Sequence, residues 1–326
     1  MDFATVLHRM RPDLQRVEER LLAETALEFP LVGDILRGLI ASGGKRLRPL
    51  LLLLAAKPFR YEVERLVPAA AGIELLHTAS LIHDDSIDGA TLRRGQPTLN
   101  ALFDSSVVIM VGDYLFARSA MLAASTMNPR VLAVFARCLG SICDGQLREL
   151  FAARRTDLSF DDYQRRIYGK TASLFAGSAE IGAILADAAD DQIEALREFG
   201  GALGMAFQIV DDILDFRGQT GELGKPAGQD LRQGTVTLPT MIFLTDGKAS
   251  PEERQFVEHL IRSGSPDDDA IATAVRLVRD SGALDEAHAI ARQYVETAKN
   301  LLADLPPSDE RAMLVALAEH AIARRA

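Results

Sequence analysis

Cysteine and positive charge are both scarce in this sequence of 326 residues. Its two cysteines, Cys138 and Cys143, lack the C-x-x-C spacing, which excludes a disulfide framework and a cysteine zinc cluster and fits a reducing cytosol. The 36 Lys and Arg residues against 46 Asp and Glu residues leave a formal net charge of −10. We therefore expect no nucleic-acid partner bound through a broad basic face and no polybasic docking on anionic lipid.

Long hydrophobic runs are missing as well. The longest uninterrupted apolar run covers residues 50–56, far short of the about 20 residues that a membrane-spanning helix needs. The N-terminal residues do not show the basic and then apolar segments of a secretion signal. We therefore expect no transmembrane segment and a cytoplasmic location.

Apolar residues recur at the helical period along almost the whole sequence, whereas Val, Ile and Thr rarely alternate with polar residues. Helix starts are signalled by Asn128-Pro129, by capping boxes at Ser250 with Glu253 and at Ser159 with Asp162, and by Ser308. No linker, fixed-period repeat or low-complexity tract interrupts the pattern. The sequence therefore predicts an all-α fold, a single large helical bundle that forms one domain over residues 1–326.

Two loops stand out in composition. One covers residues 89–98, GATLRRGQPT, and the other covers residues 217–234, which contain five glycines. A loop of the second kind inside a compact helical protein is typical of a functional lid or of a disordered connection. A surface loop without a role is the other explanation.

Two segments each carry three aspartates with the spacing D-D-x-x-D. They are LIHDDSID, with Asp84, Asp85 and Asp88, and IVDDILDF, with Asp211, Asp212 and Asp215. On a helix, residues four positions apart lie on one face with Cβ atoms roughly 5–6 Å apart, so each triplet brings like charges together and destabilises the helix. A hard divalent cation with oxygen ligands would compensate for that repulsion.

Solvation of a helix end would explain one such triplet, but two copies, each at the end of a long apolar helix, favour a shared role. If the two helices face each other, the six carboxylates form a pocket suited to several Mg²⁺ ions bound jointly with a phosphate ligand. The spacing of a calcium EF-hand is absent. A di-iron site is disfavoured because only Glu74 and His77 show the Glu-x-x-His spacing that it needs on two helices.

Positive side chains lie close in sequence to both triplets. They are Lys45, Arg46 and Arg48 in the segment GGKRLRP, Arg93 and Arg94 after the first triplet, Lys170 beside Thr171, and Lys225 in the second loop. Each one alone is more readily explained as a solvated surface residue. Their grouping favours a diphosphate ligand, because Arg binds phosphate oxygens bidentately and Lys acts as a point charge.

Two further polar residues share helix faces with the triplets. His77 precedes Asp84 by seven residues, and Gln208 precedes Asp211 by three. A satisfied core histidine and a buried amide bonded to the backbone are the alternatives. Gly200 lies inside the second of these helices despite a destabilisation of about 1 kcal/mol relative to Ala, which close approach of another helix or a ligand would explain.

In combination these motifs resemble the trans-isoprenyl diphosphate synthases, also called polyprenyl synthetases. The matching segments are GGKRLRP, GIELLHTASLIHDDSIDGATLRRGQPT, GKTASLF, GGALGMAFQIVDDILDF, GKPAGQDL and TLP, in the family's order over residues 43–239. The resemblance implies a helical bundle around a deep central cavity and a homodimer.

The resemblance also implies a reaction. Isopentenyl diphosphate is joined head to tail to an allylic diphosphate through an allylic carbocation, and three Mg²⁺ ions bind both triplets with the allylic diphosphate. The implied contacts are Lys45, Arg48, His77 and Arg94 for isopentenyl diphosphate, and Arg93, Lys170 and Lys225 for the allylic diphosphate. Thr171 and Gln208 present oxygens to the developing cation, as set dipoles would, and with Lys170 they form the implied catalytic group.

One residue departs from the family pattern. The family commonly has Lys after the glycine of D-L-x-x-G, whereas Gly234 is followed by Thr235 here. That lysine helps to bind the diphosphate, so this contact of the lid is in question. Both triplets are intact, and we still expect activity.

The residues that precede Asp84 bear on product length. Ala79 and Ser80 are both small, whereas farnesyl-type relatives carry an aromatic residue there as the floor of the cavity. Leu76, one turn deeper, is not aromatic either. This pattern favours a product of geranylgeranyl length or longer. Within that range we favour a long chain that serves as the precursor of a quinone tail.

Three alternatives stay open at this point. A short-chain synthase of the farnesyl or geranylgeranyl type differs only in product length. A class I terpene cyclase has one aspartate-rich motif with a different second metal motif, and a non-catalytic subunit of a heteromeric synthase loses triplet aspartates. The two complete triplets disfavour the last two.

Overall fold

The computed structural model describes residues 1–26, 29–41, 44–93, 96–218, 227–246, 248–264 and 266–324, and these residues form an all-α protein, as predicted. The helices are α1 (Phe3–Ala23), α2 (Pro30–Ala41), α3 (Leu47–Ala56), α4 (Val63–Ile87), α5 (Leu99–Leu102), α6 (Ser105–Ser125), α7 (Pro129–Ala152), α8 (Phe160–Ile167), α9 (Ser173–Leu185), α10 (Asp190–Arg217), α11 (Gln229–Gln233), α12 (Leu238–Thr245), α13 (Pro251–Ser263), α14 (Asp268–Asp280), α15 (Ala283–Leu301) and α16 (Asp309–Ala323). A π-helical turn, Tyr168–Ala172, joins α8 to α9.

The helix starts that the sequence predicts are confirmed by the structure. The Ser159 hydroxyl accepts a hydrogen bond from the Asp162 backbone N–H at 3.1 Å, while the Asp162 carboxylate accepts one from the Ser159 N–H. Ser250 forms the same reciprocal pair at the start of α13. Ser308 accepts the Arg311 N–H at 3.2 Å. Each side chain satisfies a backbone donor that the first helical turn leaves unpaired.

The structure contains short elements that the sequence pattern did not indicate, in the first loop and within the long helical stretch of residues 160–185. The first loop contains two short antiparallel strands, β1 (Leu92–Arg93) and β2 (Gln96–Pro97), and α5 follows them. The long helix is interrupted by the π-helical turn. Elements this short lack the periodicity that identifies a helix or strand from sequence.

The glycine-rich second loop is partly helical, because α11 occupies residues 229–233 of it. Gly228 and Gly234 flank this helix with φ of 79° and 75°, left-handed conformations that glycine adopts without steric penalty. The glycines therefore delimit a short helix instead of marking only a lid. Residues 219–226, with Lys225, and the Arg94 position lie outside the described residues.

The described chain divides into two compact units. Unit 1 comprises Met1–Gly140, Leu174–Gly200 and Asn300–Leu317, and unit 2 comprises Ser141–Ser173, Gly201–Lys299 and Ala318–Ala326. The boundaries between the units fall inside α7, α9, α10, α15 and α16. The organisation of residues 1–326 as one domain stays a prediction.

Helix α4 is the centre of unit 1 and packs against α1, α3 and α6. In α3 every residue from Pro49 to Ala56 is buried, and each fully buried Leu contributes roughly 1.5–3 kcal/mol. By length and composition α4 and α6 could each cross a membrane, but 72% of the apolar window of α4 is buried in the protein, as in a core helix. Only 39% of the corresponding window of α6 is buried.

Unit 2 is built on a core to which α8, α10, α12, α13, α14 and α15 contribute buried apolar side chains. Its largest fully buried residues include Tyr163 of α8 and Phe216 of α10. Because α8 and α10 share this core, polar atoms on their facing sides are held in a fixed arrangement.

Candidate active site

The first aspartate triplet lies at the C-terminal end of α4, in unit 1. Asp88 is the residue after the last helical turn, and its N–H donates to the Asp84 carbonyl at 2.8 Å. Asp85 is buried, and Arg93 of β1 donates to its carboxylate through Nε and Nη2 at 2.8–2.9 Å. The short strand therefore brings one of the predicted diphosphate-binding residues to the triplet.

His83, which the sequence reasoning did not single out, anchors this end of α4 to α6. Its Nε2 lies 3.2 Å from the Ile109 carbonyl oxygen, and its ring meets Phe116 edge-on at a centroid distance of 5.1 Å. A Cβ atom on Gly112 would lie 2.2 Å from His83 Nε2, so glycine is required for this approach. The contact fixes the helix end that carries the triplet.

The positive side chains of the segment GGKRLRP have different environments. Arg46 is buried in a left-handed conformation with φ of 49°, and it donates to Glu74 at 3.0 Å and to the Ile40 carbonyl. Lys45 is exposed, and the Arg48 guanidinium lies 4.7 Å above the ring of Phe175. Arg46 therefore holds unit 1 together, while Lys45 is accessible to a ligand.

The remaining predicted residues of unit 1 lie on α4. His77 is half-buried, and its carbonyl accepts a hydrogen bond from the Ser80 hydroxyl at 2.8 Å. Leu76 and Ala79 are completely buried. Gly200 also lies in unit 1, where an added Cβ atom would stand 2.5 Å from the Phe175 carbonyl oxygen. Close approach of a second helix thus explains this glycine, as expected.

In unit 2 the second triplet is part of a hydrogen-bonded chain. The Tyr163 hydroxyl donates to Asp212 Oδ2 at 2.7 Å, and Gln208 Nε2 donates to Asp212 Oδ1 at 2.8 Å. The Thr171 hydroxyl donates to Gln208 Oε1 at 2.7 Å. Of the predicted catalytic residues, Gln208 is therefore bonded directly to a predicted metal ligand, and Thr171 is connected to that ligand through Gln208.

Negative charge is concentrated and poorly hydrated around Asp212. Burial raises the pKa of Asp212 to about 7, although hydrogen bonds from Gln208 and Tyr163 act in the opposite direction. Loss of hydration raises the pKa of the half-buried Asp230 well above its ordinary value, and the charges of Asp215 and Asp212 add to the rise. A cation bound at these carboxylates would stabilise their charged forms and so oppose the loss of hydration that is the main cause of both shifts.

Asp211 and Asp215 have different partners. Asp215 accepts hydrogen bonds from the backbone N–H groups of Gln229 at 3.0 Å and Asp230 at 3.2 Å, so it caps the first turn of α11. Asp211 forms an ion pair of 2.6 Å with Arg324, whose guanidinium lies 4.2 Å from the ring of Phe207. Sequence reasoning missed Arg324 because nothing local connects the end of α16 to α10.

Lys170 lies on the π-helical turn and donates to Glu149 of α7. The close approach of the π-helical turn to α7 depends on two glycines. A Cβ atom on Gly145 would lie 2.3 Å from the Lys170 backbone nitrogen, and one on Gly169 would lie 2.8 Å from the Ser141 carbonyl oxygen. π-Helical turns frequently occur at functional sites. This one carries both Lys170 and Thr171.

Residues 29–278 match the Polyprenyl synthetase family. The chain belongs to this family. It is 40% identical over 308 residues to "Heptaprenyl diphosphate synthase component 2" of Geobacillus stearothermophilus, with 94% of each chain covered. A solved decaprenyl diphosphate synthase from Rhodobacter capsulatus is 38% identical, with a TM-score of 0.91 and 99% of each chain covered.

A polyprenyl synthase from Caulobacter crescentus CB15, solved in complex with calcium and isoprenyl diphosphate, is 35% identical with a TM-score of 0.95, covering 100% of this chain and 98% of that one. The predicted family and enzyme class are thereby confirmed. This polyprenyl synthetase is a prenyltransferase of the trans-isoprenyl diphosphate synthase type.

The donor set of the polyprenyl synthetase suits a divalent cation that arrives with its substrate. Carboxylate oxygens are the ligands that Mg²⁺ prefers, and proteins usually supply only one or two of them beside substrate phosphates and water. Among the described residues, no three His, Cys, Asp or Glu side chains already form a metal cluster. The carboxylates of each triplet are donors of the type that a hard divalent cation binds.

Proposed function

We propose that this prenyltransferase elongates an allylic diphosphate with isopentenyl diphosphate to an all-trans product of geranylgeranyl length or longer. The observation that carries the proposal is the chain from Thr171 through Gln208 to Asp212, which joins two oxygen-bearing side chains to a buried carboxylate. The small Ala79 and Ser80 before the first triplet support a long product. So do the heptaprenyl and decaprenyl products named for two relatives.

In this proposal the six triplet aspartates hold Mg²⁺, with three ions as the family pattern implies. The Caulobacter crescentus enzyme was solved in complex with calcium and isoprenyl diphosphate, which supports a divalent cation as a ligand of this protein. Bound there, the metal would act as a Lewis acid on the leaving diphosphate. Lys45, Arg48, His77 and Arg94 hold isopentenyl diphosphate, and Arg93, Lys170 and Lys225 hold the allylic diphosphate.

The orientation of Gln208 decides what it offers the reaction. A carboxylate only accepts hydrogen bonds, so the Gln208 amide nitrogen must face Asp212 and its oxygen must face Thr171. Both the amide oxygen and the Thr171 hydroxyl oxygen are thus held in set positions. Such dipoles stabilise a positive charge that develops on the allylic carbon.

The test of the function is incorporation of labelled isopentenyl diphosphate by the purified protein with Mg²⁺. Dimethylallyl, geranyl, farnesyl and geranylgeranyl diphosphates are offered in turn, and the products are sized by chromatography. We expect incorporation and products of geranylgeranyl length or longer. No incorporation with any primer contradicts the proposal, and a ladder that ends at farnesyl assigns the enzyme to the short-chain type.

Arg324 competes with a cation for Asp211 in this arrangement. A partly exposed ion pair contributes about 0.5–1 kcal/mol. We therefore expect Arg324→Gln to lower the half-saturating Mg²⁺ concentration by roughly two- to fivefold, measured by titrating Mg²⁺ in the incorporation assay. Arg279→Gln, at an exposed position of α14, is the control and should change nothing. A higher half-saturating concentration in Arg324→Gln contradicts the competition.

We further propose a cytoplasmic homodimer in which α6 forms part of the interface. This helix exposes Ile109, Met110 and Met121, with 47%, 64% and 60% of each residue accessible. Several large apolar side chains exposed on one helix are typical of an interaction surface. One relative is named component 2 of a heptaprenyl synthase, so a second, different polypeptide is the alternative partner.

We expect Met110→Asp to convert the protein to a species of 35.4 kDa, the mass of one chain, because a buried unpaired carboxylate opposes association. Light scattering after size exclusion measures the mass. Phe256→Asp, on the partly exposed face of α13, is the control and should keep the wild-type mass. A wild-type protein that already has the mass of one chain contradicts the homodimer.

A further inference from the structure

Tyr163 makes a buried polar contact that the proposed roles do not use. It lies on α8 and is only 1% exposed, and its hydroxyl donates to Asp212 Oδ2 at 2.7 Å. A hydroxyl that is buried in an apolar core requires a partner, because an unmade hydrogen bond there costs about 1–3 kcal/mol. Here the partner is one of the six proposed metal ligands.

We propose that Tyr163 is a positioning residue of the second triplet. It holds the Asp212 carboxylate in the orientation that binds the divalent cation, and through that carboxylate it sets the Gln208 amide toward Thr171. The inference rests on the metal-binding role proposed for Asp212.

The hydrogen bonds at Asp212 fix the rotation of its carboxylate. The terminal torsion of an Asp side chain has a broad energy minimum and needs outside contacts to define it. Tyr163 donates to Oδ2 and Gln208 donates to Oδ1, one donor to each oxygen. Each oxygen keeps lone-pair capacity for a further ligand. Without the tyrosine hydroxyl, Gln208 would be the one remaining donor to the carboxylate among the residues that the structure describes, and the amide itself would gain freedom to turn.

Neighbouring side chains hold the Tyr163 ring in place. The ring stacks with Phe160 at a centroid distance of 6.1 Å, and the Arg166 guanidinium carbon lies 5.5 Å from the centroid of the Tyr163 ring. Arg166 is buried and donates to the Val236 carbonyl at 2.7 Å. A donor on a clamped ring defines the position of its acceptor more closely than a donor on a flexible side chain.

The π-helical turn places Tyr163 and Thr171 on the same face. In a regular helix, residues eight positions apart differ by about 80° around the axis, since each residue turns the chain by about 100°. A π-helical turn accommodates one extra residue, so the pair behaves as if seven apart and differs by only about 20°. Gln208 and Asp212, four apart on α10, form the matching face. One interruption of the helix thus permits both Thr171–Gln208 and Tyr163–Asp212 contacts.

The experiment measures Mn²⁺ binding to the full-length protein in the presence of inorganic diphosphate. Electron paramagnetic resonance monitors the binding directly. Residues that orient a metal ligand typically change metal affinity 10–100-fold when replaced. We expect Tyr163→Phe, which keeps the ring and removes the hydroxyl, to weaken Mn²⁺ binding by about tenfold. The KM for isopentenyl diphosphate should stay within twofold, because its proposed contacts do not include Asp212.

Tyr294→Phe is the matched control. The Tyr294 hydroxyl accepts a hydrogen bond from Gln164 at 2.6 Å in the same unit and has no role in the proposed site, so Mn²⁺ affinity should not change. Equal losses in both variants would reflect general loosening and overturn the inference. Circular dichroism and melting temperature check that both variants fold.

Asp212→Asn separates this inference from the proposed metal site. If this variant binds Mn²⁺ as the wild type does, the proposed ligand is wrong. If it loses binding while Tyr163→Phe does not, the ligand stands and the positioning role is wrong. In the double variant, Tyr163→Phe should add no further loss to Asp212→Asn, since the tyrosine acts through that carboxylate. If the losses of Mn²⁺ affinity in the two single variants add up in the double variant, the inference is wrong. This outcome decides the question even if Tyr163→Phe melts at a lower temperature than the wild type.

Discussion

Replacing Asp84 with alanine is expected to lower the rate of prenyl transfer by roughly 10²–10³-fold or more, the range seen when one stabilising contact to developing charge is removed. Asp84 begins the first triplet and lies on the same helix face as Asp88. Its loss removes a proposed ligand of the metal that stabilises the departing diphosphate. Asp211→Ala in the second triplet should have an effect of the same size.

The fold should survive the Asp84 replacement. Like charges four positions apart on a helix destabilise it by a few tenths of a kcal/mol, or roughly 0.2–0.5, so the melting temperature should stay constant or rise slightly. Turnover is measured with saturating isopentenyl diphosphate, and melting is followed by circular dichroism. Glu258→Ala, at a half-buried carboxylate of α13 outside both triplets, removes the same charge and should leave turnover unchanged. Turnover of the Asp84 variant within twofold of wild type contradicts the metal role of the first triplet.

Replacing Ala79 with phenylalanine is expected to shorten the longest product to about the farnesyl stage. Ala79 is fully buried on α4, five residues before Asp84, at the position where farnesyl-type relatives carry an aromatic residue. An aromatic ring there would form a floor that stops the growing chain. The product ladder, sized after incubation with farnesyl diphosphate and excess isopentenyl diphosphate, measures the effect.

Leu76→Phe provides the graded control for this prediction. Leu76 is equally buried and lies about one turn deeper on the same helix, so its variant should shorten the product less than Ala79→Phe. If the Ala79 side chain packs against protein and not along the product path, the larger ring overpacks the core at about 1–3 kcal/mol. The melting temperature would then fall while the product ladder stays the same, which contradicts the proposed path.

Local features of the fold were predictable because they depend on neighbours in sequence. Ser159 with Asp162, and Ser250 with Glu253, form capping boxes through contacts three residues apart. The π-helical turn and α11 were not predictable on this basis. Each is five residues long, and each depends on close packing or left-handed glycines that a periodic pattern does not reveal.

Within the site, the identity of the candidate residues was predictable but their partners were not. The spacing D-D-x-x-D indicates a cation site from local helix geometry. Nothing in that spacing indicates that Arg93 holds Asp85, that Arg324 pairs with Asp211, or that Arg46 is buried. Those outcomes follow from strand, helix-end and core packing.

By itself, the sequence determined the all-α class, the helix starts, the two aspartate triplets and the family, because capping, helical periodicity and motif spacing act over a few residues. Only the tertiary structure decided that Tyr163 hydrogen-bonds to Asp212, 49 residues away, and that Gln208 turns its oxygen to Thr171. Such pairings depend on which helix faces share a core. That outcome is a sum of many weak packing contacts spread over the chain, so no short segment of sequence contains it.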